Sequence, residues 1–386
     1  MGPRVAHTEF EMAKIKVMHC IDEVTADAGT EKQLEEWVRR IDHDRFEIHV
    51  CCFEDSERLR RISEYAHTLV LPLTRAYTPR GLLQIWRLRR YINAHNIDIV
   101  QTYFMKSNIV GTLAARGSKC RAIVSCRLDL GYWFTPRLRR VFRHLDKSAT
   151  RLLANAEAVK QAVMRNEPTA ADKIDIIYNR VDTAAYAPGS GDPSVAETLG
   201  IPPSAKVVGI IANLRPVKDH ALFLRAAAIV AGQVPDVAFV LLGEGSLRAD
   251  LEALAEELGI ADKVFFAGRV GHVQDYLARM DIGCLSSNSE GFPNTICEYM
   301  AAGVPVVATD VGGMREAVEH GVTGYVVPHG RPEEFAKHII ELLKDDDKRT
   351  EMGRKSLESC REKFDIELSI REFEEYYTAL AALPRR

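Results

Sequence analysis

Short apolar runs alternate with segments of helical period along the whole chain, and this alternation constrains the fold more than any other feature. In the front half the strand-like runs are 15–20, 47–53, 69–72, 97–102, 122–126, 151–154 and 174–178. Between them the apolar spacing predicts helices over 29–41, 56–65, 80–94, 107–115, 136–147 and 156–165. Strands separated by helices imply a parallel sheet covered on both faces, because only a crossover can return the chain to the same edge. Residues 183–205 then turn rich in Pro, Gly, Ser and Ala and read as a connection. A second alternating set follows, with strands at 207–212, 238–242, 264–267, 282–285, 305–308 and 324–327. Its helices fall at 219–231, 246–258, 273–280, 295–302, 315–319 and 333–344, and 348–382 is helical in pattern.

The expected architecture is therefore α/β: two Rossmann-like doubly wound domains facing a central cleft. A chain of 386 residues is long enough for two such cores. The boundaries read as 1–185, 186–365 and a last helix, 366–386, returning to the N-terminal domain. Ligands of such sheets bind at the carboxyl ends of the strands, and the cleft is the default site.

One segment carries chemistry. After the strand at 282–285 the chain reads SSNSEGFPNTICEYMAAG. Pro293 bars an earlier helix start, Asn294 suits an N-cap, and Gly303 stops the helix. A helix N-terminus is thereby placed at the carboxyl end of a parallel strand, with the N–H groups of Asn294 and Thr295 facing an anion such as a diphosphate. Glu290 lies before the helix and Glu298 about one turn inside it, so two carboxylates bracket the anion site and can accept hydrogen bonds from hydroxyl groups. A lone Glu there would read as a charge favouring the helix dipole; two framing Gly-Phe-Pro-Asn-Thr call for more.

EGFPNTICE resembles the E-x7-E signature of the GT-B retaining glycosyltransferases of family 4. The resemblance continues through Gly243–Ile260 (GEGSLRADLEALAEELGI), Val264–Val270 (VFFAGRV), Met300–Pro328, and LLANAEAVKQAV with IIYNRVD at Leu152–Asp182. It implies that Glu298 binds ribose hydroxyls and Glu290 those of the donor sugar. Gly291, Phe292, Pro293 and Asn294 would face the sugar, Asn294 and Thr295 the phosphates, and Arg269 with Val270 the base. Gly243 would belong to the same donor-binding set. It also implies no metal on the diphosphate, the leaving group being met by cationic side chains and helix N-termini.

The chain departs from the family pattern at several places. Where the family has GRL-x-x-x-KG, this chain reads ANLRPVKDH: Lys218 matches, Asn213 stands at the Arg position, and Arg215 is expected to replace that charge. The N-terminal glycine loop is Ala28-Gly29-Thr30-Glu31, so Gly29 alone keeps a permissive backbone beside the donor. Arg127 stands where many relatives have His, with Asp129 nearby. An Arg cannot act as a base at neutral pH, so Arg127 either stabilises negative charge at the catalytic centre or forms a buried pair with Asp129. Arg180 replaces a common Gly in YNRVD and is expected to line the cleft.

Charge is unevenly spread. Of 51 Lys and Arg and 54 Asp and Glu, residues 58–165 hold 21 basic and only five acidic residues. Such a surface suits an anionic acceptor or lipid face, or is simply solubilising; the overall balance does not call for nucleic acid. Residues 80–91 and 136–151 are basic and amphipathic, with Trp86 on the apolar side of the first. The eight cysteines form no C-x-x-C pair, so no zinc signal is present, and buried reduced thiols fit a cytoplasmic protein. Met1 to Lys14 lacks the apolar core of a signal peptide, and no run approaches membrane-spanning length. The expectation is a retaining, metal-independent glycosyltransferase without a cofactor. It would use a UDP-, GDP- or ADP-sugar and a glycan, lipid-linked or small-molecule acceptor, in cell-surface polysaccharide or glycoconjugate synthesis, in the cytoplasm with peripheral contact to the inner membrane face. A non-catalytic sugar-nucleotide-binding protein of the same fold, or an epimerase, is the alternative.

Overall fold

The short strands among the described residues are β1 (Ile15–Cys20), β2 (Phe46–Cys52), β3 (His67–Val70), β4 (Ile99–Thr102), β5 (Ala122–Arg127), β6 (Arg151–Ala154), β7 (Ile174–Ile176), β8 (Lys206–Ile211), β9 (Val237–Leu242), β10 (Val264–Gly268), β11 (Ile282–Leu285), β12 (Val306–Thr309) and β13 (Gly324–Val327). The α-helices are α1 (Gly29–Arg40), α2 (Glu57–Ile62), α3 (Pro79–Ala94), α4 (Met105–Arg116), α5 (Pro136–Asp146), α6 (Glu157–Asn166), α7 (Val195–Thr198), α8 (His220–Ala231), α9 (Arg248–Glu257), α10 (Val273–Leu277), α11 (Asn294–Ala301), α12 (Met314–Ala317), α13 (Pro332–Lys344), α14 (Asp346–Lys363) and α15 (Ile366–Ala381). This computed structural model describes residues 13–24, 29–73, 76–167 and 172–386. Ala28 and most of the Met1 to Lys14 segment lie outside the described residues.

The strands form a seven-stranded sheet of order β3-β2-β1-β4-β5-β6-β7 and a six-stranded sheet of order β10-β9-β8-β11-β12-β13. Every described pairing is parallel, for example Val17 with Ile48 and Val17 with Ile99 across β2-β1-β4. In each sheet the order reverses once, between β1 and β4 and between β8 and β11. Right-handed crossovers running outward from such a point put helices on both faces and leave a crevice at the carboxyl ends of the two central strands.

By its internal contacts the chain divides into two compact units: Met1–Cys126 with Pro136–Leu153 and Ile370–Arg386, and Arg127–Thr135 with Ala154–Ser369. The first has a core built around Met18, Val100, Val110, Ile123, Leu88 and Ile92. The second is built around Val208, Ile210, Phe223, Phe239, Ile282 and Phe335. Each such fully buried side chain contributes about 1.5–3 kcal/mol from removal of apolar surface from water. All eight cysteines are buried free thiols, as the apolar runs around them predict.

α3 shows how local chemistry sets a helix and how the sequence reading of one face fails. Thr78 caps it, accepting from the Gly81 N–H at 3.1 Å, and Pro79 opens the first turn. Its buried stripe is Gly81, Gln84, Ile85, Leu88 and Ile92. Trp86 falls about 100° from Ile85 and is 53% exposed, alongside exposed Leu82 and Leu83. Trp86 is therefore not on the core side, and the Arg90 guanidinium lies 5.7 Å from its ring centre.

α14 and α15 are separate helices, broken at Phe364 and Asp365. There Val181 N–H donates to Phe364 C=O and Ile366 N–H to Val181 C=O, while Thr183 donates to the Asp365 carboxylate. Beyond the break the helix packs within the first unit. Phe373 meets Trp37 at 4.0 Å between ring centres, and Tyr377 donates to Gln101 Oε1 at 2.9 Å.

Gln101 in turn donates to the Tyr103 hydroxyl, which lies 2.7 Å from His19 Nδ1 at the end of β1. The hydroxyl proton goes to Nδ1, so His19 is neutral, and its burial pushes its pKa down to about 3. An unfolded chain takes up a proton here below about pH 6.5 and the native chain does not until about pH 3. His19 therefore supports full stability above pH 6.5 and loses that contribution as pH falls, at up to about 1.4 kcal/mol per pH unit. Urea unfolding of His19→Gln should show a shallower acid slope than the parent between pH 6.5 and 4.5; equal slopes would refute this assignment.

Candidate functional site

The loops after β8 and β11 meet at the reversal point of the second sheet. Four bonds among the described residues join them: Asn288 N–H to Val217 C=O at 2.9 Å, Asn288 Nδ2 to Pro216 C=O at 3.3 Å, Ser286 Oγ to Lys218 C=O at 3.0 Å, and Lys218 Nζ to Glu290 Oε1 at 2.6 Å. Ser287 Oγ donates to the same Glu290 oxygen. Lys218 and Glu290 are partly buried, where an ion pair is screened less than at the surface. A short 3-10 turn, Pro216–Lys218, carries Lys218, and Asp219 follows in the left-handed region at φ 43°. Asp219 caps α8 through the Leu222 N–H and accepts from His329 at 2.8 Å.

The Glu290 loop is held by close backbone approach. A Cβ on Gly291 would lie 2.1 Å from Leu128 C=O. One on Gly312, at φ +56°, would lie 1.8 Å from Glu290 C=O. Gly313 N–H donates to Gly291 C=O at 2.9 Å. Only glycine permits these contacts. Phe292 is buried against Tyr178 and Phe364, with ring centres 5.4 and 5.3 Å apart.

α11 begins one residue earlier than its sequence suggests. Pro293 occupies the N-cap position and Asn294 is the first helical residue. Asn294 does not cap, because its Oδ1 accepts from Asn179 Nδ2 at 2.8 Å. The N–H groups of Asn294 and Thr295 precede the helix's own ladder, and Thr295 Oγ1 donates to Ile211 C=O at the end of β8. Tyr299, fully buried, fixes the helix on the sheet through Ile211 N–H at 2.9 Å. Glu298 lies in the second turn, buried, and accepts from the Tyr186 hydroxyl at 3.0 Å.

The remaining sequence-predicted residues of this unit also line the carboxyl ends of its strands. Asn213 and exposed Arg215 follow β8. Gly243 follows β9 at φ +136°, its N–H bonded to Gly268 C=O. Exposed Arg269 and half-buried Val270 follow β10. Tyr132, brought in by 127–135, has its phenol pKa raised by partial burial and then by Asp129 and Glu290, with Arg215 acting in the opposite sense. Arg215, Glu290 and Tyr132 thus share one electrostatic neighbourhood. Gly29 is the first residue of α1 and belongs to the first unit.

Arg127 and Arg180 have partners that the sequence did not name. Arg127 does not pair with Asp129. It makes a bidentate pair with Glu167, Nε to Oε1 at 3.2 Å and Nη2 to Oε2 at 2.8 Å, with both side chains buried. Asp129 instead accepts from Gly131 N–H and Trp133 Nε1. Arg180 is buried and donates to Lys363 C=O at 3.0 Å. Glu167, Tyr186, Asn179 and Ser287 were missed: the partners of the first three are far away in sequence, and Ser287, three residues from Glu290, is a single serine in a polar loop with no spacing signal. Replacing Glu167 by Gln removes the carboxylate charge facing the buried Arg127 guanidinium, which should cost about 3–5 kcal/mol in urea unfolding. A loss below about 1 kcal/mol would mean that the pair does not fix Arg127.

Known proteins resemble this chain in sequence and in fold. Residues 28–185 match the family model described as Glycosyltransferase Family 4, and residues 193–358 the model described as Glycosyl transferases group 1. The N-acetyl-alpha-D-glucosaminyl L-malate synthase of Bacillus anthracis is 33% identical over 204 residues, 53% of this chain and 53% of that protein. The D-inositol 3-phosphate glycosyltransferase of Mycolicibacterium gilvum is 32% identical over 265 residues, 64% of this chain and 58% of that one. The chain thus spans little more than half the length of these curated relatives. Anabaena HepE, solved in complex with UDP-glucose, superposes with a TM-score of 0.84 at 24% identity, over 95% of this chain and all of that one. Sucrose-phosphate synthase from Thermosynechococcus elongatus gives 0.79 at 18%, over 95% and 99%. Signature, sheet topology and family matches agree: the chain belongs to glycosyltransferase family 4, with the GT-B fold.

Proposed function

We propose that this protein transfers a sugar from a nucleotide diphosphate sugar to an anionic acceptor, with retention and without a metal on the diphosphate. The observation that carries this reading is the Lys218–Glu290 pair at the β8/β11 reversal, beside the N-terminus of α11. Glu290 accepts from hydroxyls of the donor sugar, and Lys218 fixes the carboxylate's direction. Lys218 and Arg215 meet the negative charge that grows on the leaving diphosphate, with the N–H groups of Asn294 and Thr295. Glu298 takes the ribose hydroxyls, with Tyr186 holding its other contact. Gly291, Phe292 and Pro293 shape the sugar pocket, and Gly243, Asn213, Arg269 and Val270 the nucleotide end. The acceptor oxygen attacks the anomeric carbon on the face that the diphosphate leaves, and its proton passes to a diphosphate oxygen. Arg127, neutralised by Glu167, positions the 127–135 segment rather than moving a proton.

Support for the donor comes from HepE, solved with UDP and with UDP-glucose, so UDP-sugars come first among UDP, GDP and ADP donors. Support for an anionic acceptor comes from two observations. The relatives are named for L-malate and for inositol 3-phosphate. The exposed face of α5 carries Arg137, Arg139, Arg140 and Arg143. The exposed Leu82, Leu83 and Trp86 of α3, among Arg80, Arg87 and Arg90, fit contact with an anionic bilayer. No helix among the described residues is long and apolar enough to cross a membrane.

A UDP-sugar at about 100 times its Kd should stabilise the protein by about 2.7 kcal/mol. Lys218→Ala and Glu290→Ala should each lower kcat by about 10²–10³-fold, while Glu298→Ala should chiefly raise the donor KM. Transfer should persist with a chelator present. Full activity in all three variants would overturn the site, and tight donor binding without turnover would leave a non-catalytic binder. Trp86→Ser should reduce sedimentation with phosphatidylglycerol vesicles and not with phosphatidylcholine ones; unchanged binding would remove the membrane from this reading.

A further inference from the structure

The first unit holds a second cluster of chemically capable side chains, on strands that contribute nothing to the donor residues. Glu47 and His49 stand two residues apart on β2, and so on one face of the sheet. His67 is the register partner of His49 on the neighbouring edge strand β3. Three ligating atoms are thereby delivered to one spot by backbone geometry alone. His49 Nε2 lies 2.9 Å from Glu47 Oε1, and His67 Nε2 lies 3.9 Å from that same oxygen. All three ligand atoms fall within 4.8 Å of one another. Ligands about 2.0–2.2 Å from a tetrahedral ion sit roughly 3.3 Å apart, so a small rotation of the exposed His67 ring closes the set.

We infer that Glu47, His49 and His67 form a binding site for a divalent transition-metal ion of the zinc class. Two imidazoles and one carboxylate are the donor set that such ions favour over magnesium or calcium. His49 is already oriented for it. Its Nδ1 lies 2.9 Å from the Tyr91 hydroxyl, and its ring is stacked on His67 at 4.8 Å and edge-on to Tyr91 at 5.7 Å. That outer partner is what a metal-bound imidazole needs on its second nitrogen. In the metal-free chain Nε2–H donates to Glu47 and Nδ1 accepts from Tyr91. On binding, Nε2 gives its lone pair to the ion, the proton resides on Nδ1, and the Tyr91 hydroxyl turns to accept it. Burial also holds the His49 pKa down to about 4, so the ring is neutral across the physiological range.

The competing occupant is on the same face. Lys16 Nζ lies 2.9 Å from each oxygen of Glu47, and His95 stands 5.6 Å from His49 between ring centres. The ion replaces the ammonium on the carboxylate, so affinity is set against the Lys16 pair. Once bound it ties the edge strand β3 to β2. Its effect falls on the first unit's stability rather than on sugar transfer.

The test titrates metal-free protein with zinc chloride, and separately with cobalt chloride, by calorimetry and by visible absorption. The parent should take up one zinc ion, with a rise in Tm, and cobalt should give the intense d–d bands of a tetrahedral site. His67→Ala, at an exposed position that leaves the core intact, should lose this uptake at unchanged circular dichroism. Tyr91→Phe should weaken it about tenfold or more, and Lys16→Met should tighten it. Turnover of donor should be unchanged in His67→Ala. Failure of the parent to bind zinc up to millimolar concentration, or equal binding by His67→Ala, would overturn the inference.

Discussion

The reversal of strand order between β8 and β11 is the constraint on which the second unit's chemistry depends. Crossovers leave these two central strands in opposite directions, so no helix caps the gap between their carboxyl ends. The two loops that rise there must satisfy each other, and they do so through Asn288, Ser286 and the Lys218–Glu290 pair. Backbone approach at Gly291 and Gly312 then leaves the loop little freedom. A charged pair held this way is preorganised: its dipoles do not have to be gathered when charge develops nearby.

The fold was legible because its signal is distributed. Each strand run was located, β1, β6, β11 and β13 to the residue, since a strand buried on both faces shows as a continuous apolar stretch bounded by turn residues. Errors fell at the ends, as with Asn294, where one side-chain hydrogen bond to Asn179 decides between cap and first turn. Trp86 failed for a related reason. An amphipathic pattern with apolar residues on two sides does not say which side meets the core, and burial of Ile85 and Leu88 settles it.

The site was legible only in part. Residues carried by a contiguous motif, Glu290 to Glu298, could be placed on a loop and a helix from spacing alone. Residues whose meaning lies in a distant partner could not. Arg127 and Glu167 are separated by 40 positions, and Tyr186 and Glu298 by 112. The sequence offered Asp129 to Arg127 because it is near in the chain; the fold spends Asp129 on a local turn with Gly131 and Trp133. The His49–His67 cluster was invisible for the same reason, being created by strand register.

The split of the chain between its units has a consequence for how it is made. The polypeptide passes from one unit to the other at residues 126–127, 135–136, 153–154 and 369–370. The first unit therefore includes a piece, Ile370–Arg386, that is synthesised only after every residue of the second. Until then Trp37 lacks Phe373 and Gln101 lacks Tyr377. The second unit has all its residues earlier, so it can close while its predecessor still waits on the ribosome. Domain order along the messenger and order of completion are reversed, and a premature stop just after Ser369 would injure the unit encoded first.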